Sequence, residues 1–211
     1  MTKKGILFDM DGTLINTYEN INFRQALSEL KTVQKTLILK ILKSRVRSFA
    51  EMETRILQEV EDPAEGKELV RRVSDFLLEH YDNATLKKDA LMFLQYVKQK
   101  NYKICLCTNN ATEIVSHILR EKHMEAYFDY VITSQQVTRS KPDPQMYLEA
   151  LHNIDLTAEE CIVFEDTENG VMAARNAGID VIVVNDKEKR KYSDALMTIR
   201  DFGDYRLYQE F

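Results

Sequence analysis

The chain has 211 residues, a formal net charge of −5 and a hydrophobic content of 44%. This hydrophobic share is enough for a packed core, and the length allows one domain or a domain with an insert. The acidic balance argues against a dedicated nucleic-acid binder. Because no apolar stretch of the sequence is long enough to span a bilayer, we also expect no membrane partner.

The beginning of the sequence and its cysteines both indicate a cytoplasmic protein. The chain runs through Lys3 and Lys4 directly into a short apolar stretch, without the cleavage pattern of a signal peptide. Its three cysteines, Cys105, Cys107 and Cys161, fall on predicted buried strands. We expect reduced packing residues, because a Cys-x-Cys metal site would need further soft ligands and none stands at a suitable spacing.

Two aspartates follow the first apolar run of the chain. Gly5–Phe8 has the length of a buried strand, and Asp9 and Asp11 come next, at positions that point the same way in an extended backbone. Gly12 then allows a sharp turn without steric cost. Like charges at the end of a buried strand are costly unless a divalent cation or a proton separates their roles. The alternative is a strand followed by a solvated Asp-Gly turn.

The stretch from about residue 17 to residue 83 has a helical pattern throughout. Gly66 is its only glycine and Pro63 its only proline. Apolar residues at helical spacing predict helices over residues 18–30, 33–42, 49–60 and 64–81. The stretch therefore predicts an all-helical unit placed directly after the first strand.

From Leu86 onward, predicted helices alternate with short apolar strands. We expect strands over residues 103–107, 130–133, 161–164 and 179–184, and helices over residues 89–100, 112–121, 144–152 and 170–177. This alternation predicts an α/β fold with a parallel sheet covered by helices on both faces. Residues 1–16 and 84–211 would form this core, and residues 17–83 the helical insert.

Polar clusters accompany the later strands as well. Thr108-Asn109-Asn110 follows one strand, and Glu165-Asp166, with Gly170 beyond it, follows another. Lys141 stands between them in a stiff loop bounded by prolines. Ligands of parallel sheets bind outside the carboxyl ends of the strands. These clusters and the two aspartates after the first strand are therefore expected to converge on one point.

These four segments resemble the signature motifs of the haloacid dehalogenase (HAD) superfamily, in the family's order and at roughly its spacings. The resemblance covers nearly the whole chain. It implies a Rossmann-like, HAD-like core with a helical cap inserted after the first strand. It also implies a phosphoric monoester hydrolase: a Mg²⁺-dependent phosphatase that acts on a small phosphorylated metabolite through an aspartyl-phosphate intermediate.

The resemblance assigns catalytic and metal-binding roles to the carboxylates. Asp9 would be the nucleophile. Asp11 would protonate the leaving oxygen and later deprotonate the hydrolytic water. Asp9, Asp166 and the backbone carbonyl of Asp11 would hold the metal, and Glu165 would be a further ligand or the partner of one. An all-oxygen site suits Mg²⁺, which would let Asp9 approach a phosphate dianion.

Three other residues are candidates for binding the phosphoryl group. Thr108 and Asn109 precede a predicted helix, where a hydroxyl and free backbone N–H groups can hold phosphoryl oxygens. The alternative for both is an ordinary helix N-cap. Lys141 would supply positive charge to the phosphoryl group and to Asp9, although a single lysine in a loop is usually solvated.

The helical segment is expected to select the substrate. Arg45 and Arg47 lie near a turn between predicted helices and are the best candidates for gripping an anionic group, with Arg24 as a third. The stretch between Glu29 and Glu51 also carries several lysines and no acidic residue. These lysines form either an electropositive mouth or, as we favour, a solvated helix face.

Two departures from related subfamilies bear on the reaction. Many caps of this type begin with an aspartate where this chain has Asn16. The β-phosphoglucomutases carry a histidine in the first cap helix, whereas this chain has Ile21 and Asn22 there and no histidine before His80. The second departure favours simple hydrolysis over a mutase.

Two alternatives to the phosphatase stay open on the sequence. One is a β-phosphoglucomutase-like sugar-phosphate mutase, and the other is a regulatory or phosphate-ligand-binding protein that kept the fold without turnover. Phosphoglycolate, hexose phosphates, glycerol phosphate and nucleotide monophosphates all remain candidate substrates. We expect the protein to be a monomer.

Overall fold

The parallel sheet that the sequence predicts is present in the computed structural model, which describes residues 3–17, 30–43, 49–184, 192 and 195–211. The strands of these residues are β1 (Gly5–Phe8), β2 (Lys103–Cys107), β3 (Tyr130–Ile132), β4 (Cys161–Glu165), β5 (Asp180–Val184) and β6 (Met197–Ile199). The α-helices are α1 (Thr32–Lys43), α2 (Phe49–Glu59), α3 (Pro63–Asn83), α4 (Ala90–Gln99), α5 (Thr112–Glu121), α6 (Gln145–Ile154), α7 (Glu168–Asn176) and α8 (Leu207–Glu210).

The sheet has the strand order β3-β2-β1-β4-β5-β6, and every neighbouring pair is parallel. Phe8, the last residue of β1, pairs with Leu106 on one side and with Phe164 on the other. The strands β1, β2 and β4 therefore end at one edge of the sheet. This register explains why the polar residues that follow them meet, although they are far apart in the chain.

Both faces of the central strand are covered, which is why its sequence is apolar without alternation. Ile6 and Phe8 face one core cluster, where the Phe8 ring stacks on that of Phe164 with centroids 4.9 Å apart. Leu7 faces the other cluster, together with the fully buried Tyr147. The predicted doubly covered α/β architecture is thus confirmed.

Some predicted boundaries were wrong by one or two residues, and one strand and one α-helix of the described residues were missed. The helix expected from Gly170 begins at Glu168, because Thr167 caps it by accepting a hydrogen bond from the Gly170 N–H. The edge strand β6 and the helix α8 have only 3 and 4 residues, too few for a periodic pattern. The helix predicted over residues 18–30 falls almost entirely outside the described residues.

The described part of the helical segment has a hydrophobic cluster of its own. It contains Leu30, Ile38, Ile41, Met52, Ile56 and Leu69. Helix α3 begins with Pro63 in its first turn and with an Asp62 side chain that accepts a hydrogen bond from the Ala64 N–H. Its other end lies against α5, and α2 lies against the short 3₁₀ turn at Ser134–Gln136. The segment therefore approaches the carboxyl-end edge of the sheet.

Asn16 joins the two connections between the sheet and the helical segment. Its Nδ2 donates to Thr85 Oγ1 at 3.1 Å and to the Leu86 carbonyl at 3.3 Å. Asn16 thus stands where related caps have an aspartate, and its amide donates hydrogen bonds that join the segment entering the helical insert to the segment leaving it.

The cysteines are free and buried, as expected. Burial is the main reason that the pKa values of Cys105 and Cys161 rise to about 12, which keeps both thiols protonated and unreactive. Among the described residues, no helix combines the length and apolar character needed to cross a membrane.

Candidate active site

Three carboxylates meet at the carboxyl ends of β1 and β4. Asp9, Glu165 and Asp166 each place one oxygen within 4.8 Å of the others. The alternative of a solvated turn is wrong for Asp9, since only 8% of this residue is exposed. Gly12, with φ of 80°, turns the backbone just beyond, in a conformation that favours glycine.

Lys141 is buried among these carboxylates rather than solvated, with 3% exposure. Its Nζ donates to Asp9 Oδ1 at 2.8 Å, to Glu165 Oε1 at 2.7 Å and to the Cys107 carbonyl at 2.8 Å. These contacts use all three ammonium protons. Although burial lowers the pKa of Lys141, the charges of Asp9 and Glu165 raise it well above its ordinary value, so the lysine remains a cation.

Glu165 uses both carboxylate oxygens in contacts within the protein. Oε1 accepts from Lys141 and, at 3.1 Å, from the Tyr147 hydroxyl. Oε2 accepts from the backbone N–H groups of Asp166 and Thr167, at 3.0 and 3.1 Å, and from Thr167 Oγ1 at 3.0 Å. Of the two roles left open by the sequence, this geometry favours a partner that fixes Lys141 and the Asp166 backbone.

Gly170 allows this placement of Glu165. A Cβ atom on Gly170 would overlap the Glu165 carboxylate. We therefore expect Gly170→Ala to reduce turnover roughly 10- to 100-fold by displacing Glu165 and with it Lys141. Overpacking of this buried position should also lower the free energy of unfolding by about 1–3 kcal/mol.

Steady-state kinetics and denaturant unfolding measure both effects. Gly66→Ala is the matched control, because a Cβ atom there meets only side chains of the helical segment, the nearest being Leu57 at 3.3 Å. Unchanged turnover in Gly170→Ala would show that the position of Glu165 does not matter for activity.

The carboxylate cluster has the properties expected of a divalent-cation site. Burial, followed by the charge of Glu165, raises the pKa of Asp9 to about 8. Burial, followed by the charge of Asp9, raises the pKa of Asp166 to about 9. Asp166 Oδ1 is also buried without a hydrogen-bond partner. A hard cation would satisfy this acceptor and neutralise the cluster, so the residues present fit Mg²⁺.

The Asp11 side chain has other partners. Its Oδ1 accepts from the Tyr81 hydroxyl at 2.8 Å, and its Oδ2 accepts from Asn110 Nδ2 at 2.5 Å. Burial raises the pKa of Asp11, and the hydrogen bond from Tyr81 is the largest opposing cause. The sequence pattern did not identify Tyr81, which lies 70 residues beyond Asp11; Asn110 was visible only as part of the motif after β2.

Thr108 and Asn109 lie in the turn between β2 and α5. Thr108 is buried, with 1% exposure, and its Oγ1 accepts from the Asn110 N–H at 3.2 Å. The residue at the N-cap of α5 is Ala111, so the capping alternative is wrong for both. Thr108 instead lies at the same sheet edge as Asp9.

Of the cap candidates, Arg45, Arg47 and Arg24 lie outside the described residues. The lysines of that stretch behave as a solvated face where they are described. Lys40, for example, has 64% of its side chain exposed and forms an ion pair with Glu59 at 2.7 Å.

Comparison with known proteins identifies the family. Residues 6–184 match the model of the haloacid dehalogenase-like hydrolases. The chain belongs to this family. A phosphorylated-carbohydrates phosphatase from Thermotoga maritima is 32% identical over 187 residues, which cover 85% of this chain and 83% of that protein.

Solved structures of HAD proteins share the fold over their whole length. A predicted phosphoglycolate phosphatase from Haemophilus somnus has a TM-score of 0.78 and 21% identity, covering 99% of both chains. The HAD-hydrolase YfnB from Bacillus subtilis, solved with bound magnesium, has a TM-score of 0.76 and 18% identity, covering 100% of both chains.

Proposed function

We propose that this HAD hydrolase is a Mg²⁺-dependent phosphatase that acts on a small phosphomonoester. The observation that carries the proposal is the buried contact of Asp9 with Lys141 at 2.8 Å, beside Asp166, at the end of the central strand. A buried carboxylate held by a fixed cation and close to a metal site is suited to attack phosphorus. The relationship to a phosphorylated-carbohydrates phosphatase supports the same activity.

Asp9, Asp166 and the backbone carbonyl of Asp11 would hold the metal. The unpartnered Asp166 Oδ1 and the cluster of three carboxylates support this assignment, as does the magnesium bound by the related fold of YfnB. When bound, Mg²⁺ would neutralise the carboxylates and the phosphoryl oxygens and so lower their mutual repulsion.

The reaction would proceed in two displacements. In the first, an Asp9 oxygen forms a bond to phosphorus as the bond to the ester oxygen breaks, and Asp11 gives its proton to that oxygen. In the second, Asp11 takes a proton from a water molecule whose oxygen attacks the phosphorus. The bond from phosphorus to Asp9 then breaks, and inorganic phosphate leaves.

Lys141 and Thr108 would orient and stabilise the phosphoryl group during its transfer. Lys141 orients Asp9 through Oδ1 and provides fixed positive charge beside the reacting atoms. The Thr108 hydroxyl and the backbone N–H groups near Asn109 would donate hydrogen bonds to the phosphoryl oxygens at the end of β2.

Residues 17–83 would form the cap that encloses the substrate. Its separate hydrophobic cluster supports an independent unit, and Asn16 with its two partners would form the hinge. Closure would exclude water during the first displacement and opening would admit it for the second. Arg45 and Arg47 stay our candidates for binding the distal part of the substrate.

The proposed metal site predicts how stability depends on pH. In chelator, we expect the unfolding midpoint to fall as the pH rises from 5 to 8. The folded-state pKa values of about 8 for Asp9 and about 9 for Asp166 exceed their ordinary value of 3.8. The folded protein therefore binds more protons than the unfolded chain in this interval, and stability decreases with pH. Mg²⁺ should raise the midpoint more at pH 8 than at pH 5.

Thermal unfolding followed by circular dichroism measures this dependence. The matched variant is Asp166→Asn, in which the fall with pH should be smaller because one of the two carboxyls no longer titrates. An equal fall in wild type and variant, or a stabilisation by Mg²⁺ that does not increase with pH, would contradict the assignment.

Phosphate release from a panel of phosphorylated metabolites tests the function directly. The panel contains phosphoglycolate, hexose phosphates, glycerol phosphate and nucleoside monophosphates, each with Mg²⁺ and with chelator. Metal-dependent release from some of them is the expected result. Conversion of β-glucose 1-phosphate to glucose 6-phosphate without release would indicate a mutase, and no turnover with any substrate would indicate a binding protein.

A further inference from the structure

Tyr81 is a residue of the helical segment that reaches Asp11. Its hydroxyl donates to Asp11 Oδ1 at 2.8 Å, although it lies near the end of α3 and 70 residues further along the chain. The ring is buried in the same core cluster as Phe8, with 6% of the residue exposed. The hydroxyl is thus a polar group on a fixed, packed ring.

Asn110 completes a closed arrangement around the Asp11 carboxyl group. Its Nδ2 donates to Asp11 Oδ2 and, at 2.8 Å, to the Tyr81 hydroxyl oxygen. Each oxygen of Asp11 thus accepts a hydrogen bond from one of these two side chains, and the two donors are bonded to each other. Since a carboxyl oxygen has two lone-pair positions, room remains on Asp11 for a proton or for a substrate oxygen.

The neighbours of Tyr81 hold the last turn of α3 in place. His80 Nε2 donates to the Thr17 carbonyl at 2.8 Å. Asp82 pairs with His117 at 2.6 Å, and its carbonyl accepts from Lys122 Nζ at 2.9 Å. The last turn of α3 is therefore held on both sides of Tyr81, by the first residue of the helical segment and by the end of α5, which fixes the position of the hydroxyl.

We propose that Tyr81, together with Asn110, is a positioning residue that fixes the carboxyl group of Asp11 for proton transfer to the leaving oxygen. The inference rests on the proposed phosphatase function. It predicts a defect that depends on the leaving group. An alkoxide leaving group needs a proton as it departs, whereas the weakly basic p-nitrophenolate departs without one. A misplaced acid therefore slows only the hydrolysis of alkyl phosphates.

The test compares kcat/KM for glycerol phosphate and for p-nitrophenyl phosphate, since this ratio covers the steps up to departure of the leaving group. In Tyr81→Phe, which keeps the packed ring, we expect a loss of roughly 10- to 100-fold for glycerol phosphate, but less than about threefold for p-nitrophenyl phosphate. Asn110→Ala should show the same selective loss. Asp11→Asn removes the acid altogether and gives the largest expected loss of kcat/KM for glycerol phosphate, about 10²–10⁴-fold.

Tyr96→Phe is the matched control. The Tyr96 hydroxyl is a donor to the Tyr208 carbonyl, at 3.4 Å, and is remote from the carboxylates. We expect this variant to leave kcat/KM for both substrates unchanged. Thermal unfolding curves verify that each variant is still folded at the assay temperature.

The possible results separate the inference from the function on which it rests. An equal loss for both substrates in Tyr81→Phe, or no loss for either, would overturn the positioning role while Asp11→Asn still shows selectivity. A non-selective Asp11→Asn would refute Asp11 as the acid. A wild-type enzyme inactive on every phosphomonoester would refute the phosphatase itself, and the inference with it.

Discussion

Asp9→Asn is expected to abolish turnover, by roughly 10⁴-fold or more, as removal of the nucleophile does in other covalent enzymes. The amide oxygen can still accept a hydrogen bond from Lys141, but it cannot form the bond to phosphorus. Stopped or quenched assays with p-nitrophenyl phosphate measure the loss. Retention of most activity would contradict the covalent mechanism.

The same substitution should leave the fold intact. Without metal, the pKa of Asp9 is raised to about 8, so at pH 7 the carboxyl is largely protonated and the neutral amide resembles it. In chelator, we expect a free energy of unfolding within about 1 kcal/mol of the wild type. Asp129→Asn is the control substitution: it alters a side chain that accepts from the Ile104 N–H at 2.9 Å, remote from the site, and should keep turnover.

Lys141→Met is expected to damage both activity and stability. It leaves Glu165, and Asp9 whenever that carboxyl is ionised, buried without their shared cation. Breaking a buried ion pair by removing one partner costs about 3–5 kcal/mol. Loss of fixed positive charge beside the reacting group should also lower kcat by roughly 10²–10³-fold. Chemical unfolding in chelator and steady-state kinetics with Mg²⁺ measure the two effects.

Lys98→Met is the matched control for this variant. Lys98 pairs with Asp129 at 3.1 Å with 37% of its side chain exposed, and a pair of this kind contributes less than about 1 kcal/mol. If Lys141→Met were as stable and as active as Lys98→Met, the buried cation would have no part in holding Asp9.

The sequence was most informative where burial and covalent order leave few choices. Gly5–Phe8 is apolar at every position, which is typical of a strand covered on both faces, and Asp9 follows it directly. Parallel pairing then brings Thr108 and Asp166 to the same edge. The contact of Lys141 with Asp9 was expected from the family resemblance rather than from the residues alone.

The sequence was least informative where a role depends on three-dimensional contacts. The family resemblance gave Asp166 as a metal ligand but left Glu165 open between a ligand and the partner of one. In the structure both Glu165 oxygens accept from protein donors, while Asp166 Oδ1 is buried without a partner. No sequence motif marks Tyr81, because it meets Asp11 only in the folded protein, where the end of α3 lies against the site. Short elements such as β6 lack the length that periodicity requires.

Location of the phosphoryl group on the enzyme tests the central claim most directly. The protein is mixed with Mg²⁺ and p-nitrophenyl phosphate, quenched in acid within the first turnover, digested and analysed by mass spectrometry. We expect one phosphoryl group on the peptide that contains Asp9, and none in Asp9→Asn. Phosphate release without a phosphorylated peptide, or with the group on another residue, would contradict the proposed mechanism.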